Sequence, residues 1–165
     1  MKVCASLVIA ACASPSPVTS APAPAPVVTI DATVPSAWTA IPDFGLRIRC
    51  AGTVQSMGDV VLVTCGGDIL SITWFKPAKK LDDAIAELRA SASYYLESTG
   101  TGERRTAHAY RHDHHNTGGS GENYWSDSAI EIGARYFLCL AGGPRQTAEA
   151  AARGGELCAT LEAAP

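Results

Sequence analysis

The apolar positions in the first half of the chain follow the period of two that indicates β-strands. In 44–50, FGLRIRC, they occupy every second position, and 60–65, VVLVTC, is an unbroken run typical of a buried strand. Gly66 and Gly67 then supply a turn into a further apolar run, 69–75. We expect these strands to form an antiparallel meander, with 53–57 as a short connecting segment.

The pattern becomes helical after this meander. Apolar residues recur every three or four positions in the order Leu81, Ile85, Leu88, Ala92 and Tyr95. Asp82 and Asp83 fall in the first turn, where the helix dipole favours anions, so we interpret them as helix-start charges and not as an acid/base pair. The glycines of 98–102 end this predicted helix.

The remaining pattern predicts strands and one last helix. A strand over 104–112 and a flexible turn over 115–122 are followed by two strands that meet at Gly133. The last helix is expected to begin at Pro144 and to kink or break at the consecutive glycines 154–155. Strands, helix, strands, helix is the order of an α+β domain, here a single antiparallel sheet meander packed by two helices.

This order of elements resembles the PsbP-like domains, including the DcrB-like lipoproteins of bacterial envelopes. The resemblance rests on the opening strand 44–48, the helix from Leu81, the meander through Tyr136-Phe137-Leu138 and a closing helix that ends near Leu161. It covers most of 36–162. It implies an α/β sandwich in a family made largely of non-enzymatic binding and assembly factors, with no shared catalytic residues.

The N-terminus has the order of a signal peptide. Met1-Lys2 precedes a run of nine mostly apolar residues, which is too short to cross a bilayer. Ile9-Ala10-Ala11-Cys12 resembles the lipobox of bacterial lipoproteins, which implies removal of residues 1–11 and lipidation of Cys12. The alternative is an ordinary secretory signal cut near Ala13, which would release a free protein.

A proline-rich segment without charges follows Cys12. Five prolines lie between Ala13 and Pro26, separated by small or apolar residues. Such a segment favours extended geometry and would hold a domain about 40 Å from its anchor. We therefore expect a lipidated linker over 12–35 and a globular domain over 36–165. Since residue 13 is not Asp, the lipoprotein resemblance implies an outer-membrane location, facing the periplasm or the cell surface.

Charge excludes one class of partner. Of 13 basic residues only Lys2 lies among the first thirty, so the rest of the chain holds 12 basic against 16 acidic side chains. A nucleic-acid partner would require a basic face. The expected partners are the membrane, through the lipid, and another protein of the cell envelope.

The cysteines divide into two groups. Cys4 leaves with the signal and Cys12 takes the lipid. The others, Cys50, Cys65, Cys139 and Cys158, form an even set in an exported domain, which indicates two disulfides with three possible connectivities. Proximity in sequence favours Cys50–Cys65 and Cys139–Cys158. A zinc site of four thiolates is the competing interpretation, but the chain has no CxxC pair.

All four histidines lie in one stretch, HAYRHDHH: His108, His112, His114 and His115. On a strand, His108, Tyr110, His112 and His114 would share one face, and His112-x-His114 has the spacing of a metal-binding pair. His108, His115, Asp113 or Glu122 could complete a zinc, copper or nickel site. The competing interpretation is a solvated hairpin tip beside the glycine-rich turn, where neighbouring arginines would repel a cation.

Evidence for catalysis in the sequence is weak. Ser120 in GGSGE lacks the GxSxG pattern, and no GxGxxG or phosphate-binding loop occurs. Trp125 is the best candidate for an exposed recognition aromatic, although core packing is the commoner role, which we also expect for Trp74 and Tyr95. We expect a non-catalytic binding or assembly module of the envelope without a cofactor. A metal-binding protein is the alternative, and a zinc-dependent hydrolase the third candidate.

Overall fold

The computed structural model describes residues 37–94, 99–118 and 121–165. The expected signal peptide, Cys12 and the linker lie outside these residues, as do Tyr95 and Ser120. Within these ranges, ten strands and two α-helices follow in the order β1 (Thr39–Ile41), β2 (Leu46–Ile48), β3 (Gly52–Met57), β4 (Val60–Cys65), β5 (Asp68–Trp74), α1 (Leu81–Tyr94), β6 (Thr99–Arg105), β7 (Ala109–Gly118), β8 (Gly121–Ile132), β9 (Arg135–Gly143), α2 (Ala148–Cys158) and β10 (Glu162–Ala163). Among the described residues, neither helix is long and apolar enough to span a membrane.

A seven-stranded antiparallel sheet forms the body of the fold. Its strand order is β3-β4-β5-β9-β8-β7-β6. The strands form two meanders, and α1 connects them by carrying the chain from β5 to the far edge at β6. The second meander then returns strand by strand until β9 pairs with β5. The predicted α+β class is confirmed, with an antiparallel sheet and two helices.

The single-sheet expectation is wrong, because the chain forms a second, three-stranded sheet in the order β1-β2-β10. Residues 44–50 are therefore not one strand. Pro42–Phe44 form a 3-10 helix that ends at Gly45, whose positive φ of 62° turns the chain back on itself. This reversal pairs β1 with β2 in antiparallel register.

The two faces of the large sheet bury different clusters. One face packs against the small sheet and α2, in a core that includes Ile41, Leu46, Ile72, Phe137, Cys139 and Cys158. The other face packs against α1, whose Leu81, Ala84, Ile85 and Leu88 meet Tyr110, Ala129 and Tyr136. Leu81, Ile85 and Leu88 are positions of the predicted apolar pattern, and Ala84 lies beside Ile85. Trp74 packs partly buried against the first cluster.

Two segments that the sequence pattern does not predict as strands form the edge strands of the large sheet. Residues 53–57 belong to β3 and 99–102 to β6, and nearly all residues of both strands are exposed. An exposed edge strand buries no apolar face, so it leaves no alternating pattern to recognise. The predicted strand 104–112 is likewise interrupted by a turn, in which Thr106 N–H donates to the carbonyl of Ala109 at 2.8 Å.

Helix α2 begins later than predicted and does not break at its glycines. Thr147 caps it, its hydroxyl accepting from the Ala150 N–H at 3.2 Å, and the helix runs continuously to Cys158. A Cβ at Gly154 would lie 2.5 Å from the Cβ of Ala141, and one at Gly155 would lie 2.1 Å from Oγ of Ser126. The glycines therefore serve close packing of the helix on the sheet and not flexibility.

Two disulfides fasten the layers. Cys50 is bonded to Cys65 and Cys139 to Cys158, the pairing that proximity in sequence favours. The first joins the segment after β2 to the end of β4, and the second joins central strand β9 to the end of α2. In the chain-entropy model a loop of this size stabilises a fold by about 3 kcal/mol.

Replacing Gly155 by Ala tests the close approach of α2. At an exposed helix position this change would stabilise by about 1 kcal/mol. Here we expect the free energy of unfolding to fall by about 1–3 kcal/mol, because the new methyl group overlaps Ser126 and Arg111. Urea unfolding with the disulfides intact measures the change.

Ala152→Gly, on the exposed side of α2, is the matched control and should cost only the helix propensity, about 1 kcal/mol. A Gly155→Ala protein as stable as the parent, or more stable, would contradict the close packing.

Candidate functional site

The histidine strand β7 presents its side chains alternately to the two faces of the large sheet. Tyr110 is buried in the cluster beneath α1, and the period of two places His112 and His114 on the same face. This agrees with the expected shared face. His108 lies before the strand, where it is exposed and its Nδ1 is 3.1 Å from Oε2 of Glu131.

His114 and Asp127 form the central pair of the site. Nε2 of His114 lies 2.8 Å from Oδ2 of Asp127 on the neighbouring strand β8. Only 4% of the His114 surface and 7% of the Asp127 surface are exposed. The hairpin-tip interpretation is therefore wrong for His114, because the strand continues to Gly118 and the histidine lies within the paired sheet.

Three rings are stacked along this face. The centroids of His112 and His114 are 5.0 Å apart, and those of His114 and Trp125 are 5.3 Å apart, with interplanar angles of 16° and 12°. The register explains the row, since His112 pairs with Asp127 and His114 with Trp125. Trp125 is half-buried, so one end of the row remains available for contact.

The environment of His112 favours its neutral form. Burial lowers the pKa of His112 below its ordinary value, and the neighbouring His114 lowers it further, whereas the carboxylates of Glu103 and Asp127 act in the opposite direction. Nδ1 of His112 lies 3.6 Å from Oε1 of Glu103, too far for a hydrogen bond. Burial thus outweighs the nearby negative charge.

The residues that were expected to complete a metal site are dispersed. The alternation of β7 places His115 and Asp113 on the opposite face from His112 and His114. His115 stacks on Tyr124 there, and Glu122 accepts a hydrogen bond from the Tyr124 hydroxyl. In the described ranges no group of three or more His, Cys, Asp or Glu side chains is arranged to hold a metal ion. Metal binding by these histidines stays a prediction.

The arginines near the histidines are paired and do not form a free cationic patch. On the α2 face, Arg111 donates to Oδ1 of Asp113 at 2.7 Å and to Oε1 of Glu156 at 2.6 Å. Arg104 donates to the same Glu156 oxygen, and Arg105 pairs with Asp82 of α1. These bonds fasten the helices to the second meander.

Asp113 is held in its charged form despite being largely covered. Burial alone would raise the pKa of its carboxyl, but the hydrogen bonds from Arg111 and Ser126, together with the charges of Arg111 and Arg104, lower that pKa below its ordinary value. The Ser126 hydroxyl donates to Oδ1 of Asp113 at 2.6 Å. Because Ser126 also lies under Gly155, this network is part of the α2 packing and not of the stacked row.

A groove opens beside the stacked row on the α1 face. It has a volume of about 450 Å³ and lies among the second half of α1, strands β5, β7, β8 and β9, and the segment after β9. Ile69, Leu88, Leu138 and Leu140 supply apolar walls, and Trp125, His114, Asn116 and Asp127 supply one aromatic and three polar side chains. A few polar groups in a mostly apolar concavity are typical of a small-molecule site.

Polar atoms at this groove are incompletely satisfied. Nδ1 of His114, Oδ1 of Asp127 and Nδ2 of Asn116 are buried and have no hydrogen-bond partner among the described residues. A buried polar atom without a partner generally costs about 1–3 kcal/mol. Three such atoms on the lining of one groove indicate that the site is built for something other than stability alone.

Asp127 and Asn116 are not among the site residues that the sequence predicts, although a signal for Asp127 exists. Gly118 pairs with Gly121 at the β7–β8 turn, and counting back from that turn places Asp127 opposite His112. This count requires the two residues at the centre of the turn to be known. The glycine-rich stretch offers several alternative positions for the turn, so the sequence does not identify them. The sequence pattern places Asn116 in the glycine-rich turn, whereas it lies within β7.

Comparisons with known proteins add no assignment. No model of a known protein family matches the chain, and no curated protein matches it in sequence. The site must therefore be interpreted from its own geometry.

The lowered pKa of His112 predicts a pH-dependent stability. Its pKa is lower in the folded chain than in the unfolded chain, so the unfolded chain takes up the proton first as the pH falls. We expect this contribution to be complete above about pH 6.5 and to be lost as the pH falls through the lowered folded value. Urea unfolding at several pH values measures it.

The variant His112→Gln removes the titrating group and should flatten this part of the curve. Glu103 remains in both proteins, and because His112 is the smallest of the causes that set its pKa, its own contribution changes little between them. An identical loss of stability in parent and variant between about pH 7.5 and about pH 5.5 would show that His112 is not its source.

Proposed function

We propose that this protein is a lipid-anchored, non-catalytic binding domain of the bacterial cell envelope, and that its ligand lies in the groove beside Trp125 and His114. The observation that supports this proposal is the groove itself. It has apolar walls, one half-buried tryptophan and three buried polar atoms that have no hydrogen-bond partner within the described ranges. The same proposal includes two further parts. The domain is tethered to the membrane at Cys12 through the proline-rich linker, and it is a PsbP-like domain, as its order of elements suggests.

The geometry favours binding over catalysis. Asp127 fixes Nε2 of His114 as a hydrogen-bond donor, an arrangement that also occurs behind a general base. A nucleophile would have to contact the other ring nitrogen, yet Nδ1 of His114 has no hydrogen-bond partner in the described part of the chain. Ser71 and Ser91 line the groove without such a bond. The pair is therefore better suited to orient a bound molecule.

The groove is tested with a matched pair of exposed apolar residues. Ile69 lines the groove and is 57% exposed, while Met57 lies on edge strand β3 and is 56% exposed. We expect the neutral apolar dye Nile red to bind the full-length protein, with Ile69→Lys weakening binding about fivefold through loss of about 1 kcal/mol of apolar contact. Fluorescence titration measures both affinities.

Met57→Lys is the control, since it adds the same charge outside the groove and should leave dye binding unchanged. Equal effects of the two substitutions, or no dye binding by the parent, would contradict the proposed site.

The anchor is tested at Cys12. Expressed in a bacterium and supplied with labelled fatty acid, the parent should become acylated, and its processing should stop when lipoprotein signal peptidase is inhibited. Cys12→Ala should abolish both effects. Cys4→Ala, in the same N-terminal stretch, should leave them intact, and continued labelling of the Cys12→Ala protein would contradict the anchor.

Metal binding by His112 and His114 is the second candidate. The observation that favours it is the Asp127 carboxylate on His114, because metal-binding imidazoles commonly donate their other nitrogen to a carboxylate. Titration calorimetry of the full-length protein with zinc, copper and nickel tests it. Tight one-to-one binding that His112→Ala/His114→Ala removes would support it, and weak binding unchanged by these substitutions would exclude it.

A further inference from the structure

The polar atoms at the groove have defined hydrogen-bonding roles. The Arg145 backbone N–H donates to Oδ1 of Asn123 at 3.0 Å, which fixes the orientation of that amide. Nδ2 of Asn123 then donates to Oδ1 of Asn116 at 2.9 Å. The free atom of Asn116 is therefore Nδ2, a donor.

The other two atoms act as acceptors. Asp127 accepts from Nε2–H of His114 through Oδ2, and its Oδ1 has no donor among the residues that the structure describes. In the neutral ring, a proton on Nε2 leaves Nδ1 of His114 as a lone-pair acceptor. Among its buried side chains the groove thus offers one donor and two acceptors, and Ser71, Ser91 and Gln146 add polar groups that are less deeply buried.

The charge of the lining narrows the ligand class further. Asp127 is the single carboxylate among the described residues of the lining, and neither lysine nor arginine occurs there. An anionic head group would meet a carboxylate with no cation to balance it. An ammonium group would satisfy the acceptors but could accept nothing from Asn116.

We propose that the groove binds a neutral molecule with an apolar body and a primary amide, or an equivalent adjacent donor and acceptor. The amide oxygen accepts from Nδ2 of Asn116, and the amide nitrogen donates to Oδ1 of Asp127 and Nδ1 of His114. Each of these atoms is covered by its neighbours, so binding includes a small rotation of the three side chains. This inference rests on the proposed binding function and specifies its ligand.

A matched series of compounds tests the class. 2-Naphthamide, 2-naphthoate and 2-naphthylmethylamine share one apolar body and differ in a neutral, anionic or cationic head group. We expect the amide to displace Nile red from the full-length protein at about tenfold lower concentration than either charged compound. Asp127→Asn keeps an oxygen for His114 but places a donor where Oδ1 was, so it should remove this preference.

Asp59→Asn is the control for loss of a carboxylate, because Asp59 is exposed in an ion pair with Lys76, away from the groove. It should leave the tenfold preference unchanged. Preference for the amine or the acid, equal displacement by all three, or no displacement would overturn the ligand class. If Nile red still binds in these cases and Ile69→Lys still weakens its binding, the proposed binding function is retained and only the ligand class is wrong. If Nile red does not bind, or Ile69→Lys has no effect on it, both proposals are wrong.

Discussion

The register of the β7–β8 hairpin is the constraint on which the rest of the site depends. Gly118 opposite Gly121 sets every later pair, so that Asp127 lies opposite His112 and Trp125 opposite His114. A slip of one residue would move every β8 side chain to the other face. The stacked rings would then lose Trp125, and His114 would lose its carboxylate. The same register places Ser126 under α2, so both faces of the sheet depend on it.

The two faces of the sheet have different tasks. The α2 face holds the features that stabilise: a disulfide from Cys139 to Cys158, glycines that let the helix approach the sheet, and the Arg111 network. Its charged groups are matched, with Arg111 bonded to both Asp113 and Glu156. Because α2 is held by a covalent bond and by close packing, it fixes the positions of the strands whose opposite side forms the groove.

The α1 face of the sheet is only partly covered. Helix α1 covers Tyr110, Ala129 and Tyr136, but farther along the sheet it leaves the groove open. His114 and Asp127 are buried, and in the described part of the chain one polar atom of each has no hydrogen-bond partner. Burying such atoms costs free energy that an apolar pair would not cost. Departures from local stability of this kind concentrate at functional sites, which is why the groove and not the arginine network is the better candidate.

The sequence by itself determined the features that depend on neighbouring residues. Helical spacing from Leu81, the alternation in β7 and β8, the turn at Gly133 and the favoured pairing of four cysteines follow from local pattern. Tertiary structure alone decided the division into two sheets, the edge strands and the unbroken α2, because each depends on what lies across a layer. The sequence predicts that Gly155 breaks the helix, whereas in the structure this glycine leaves room for Ser126, which lies directly beneath it. The groove likewise brings together residues from four strands and a helix. These segments are far apart in the sequence, so no local sequence pattern indicates that they meet.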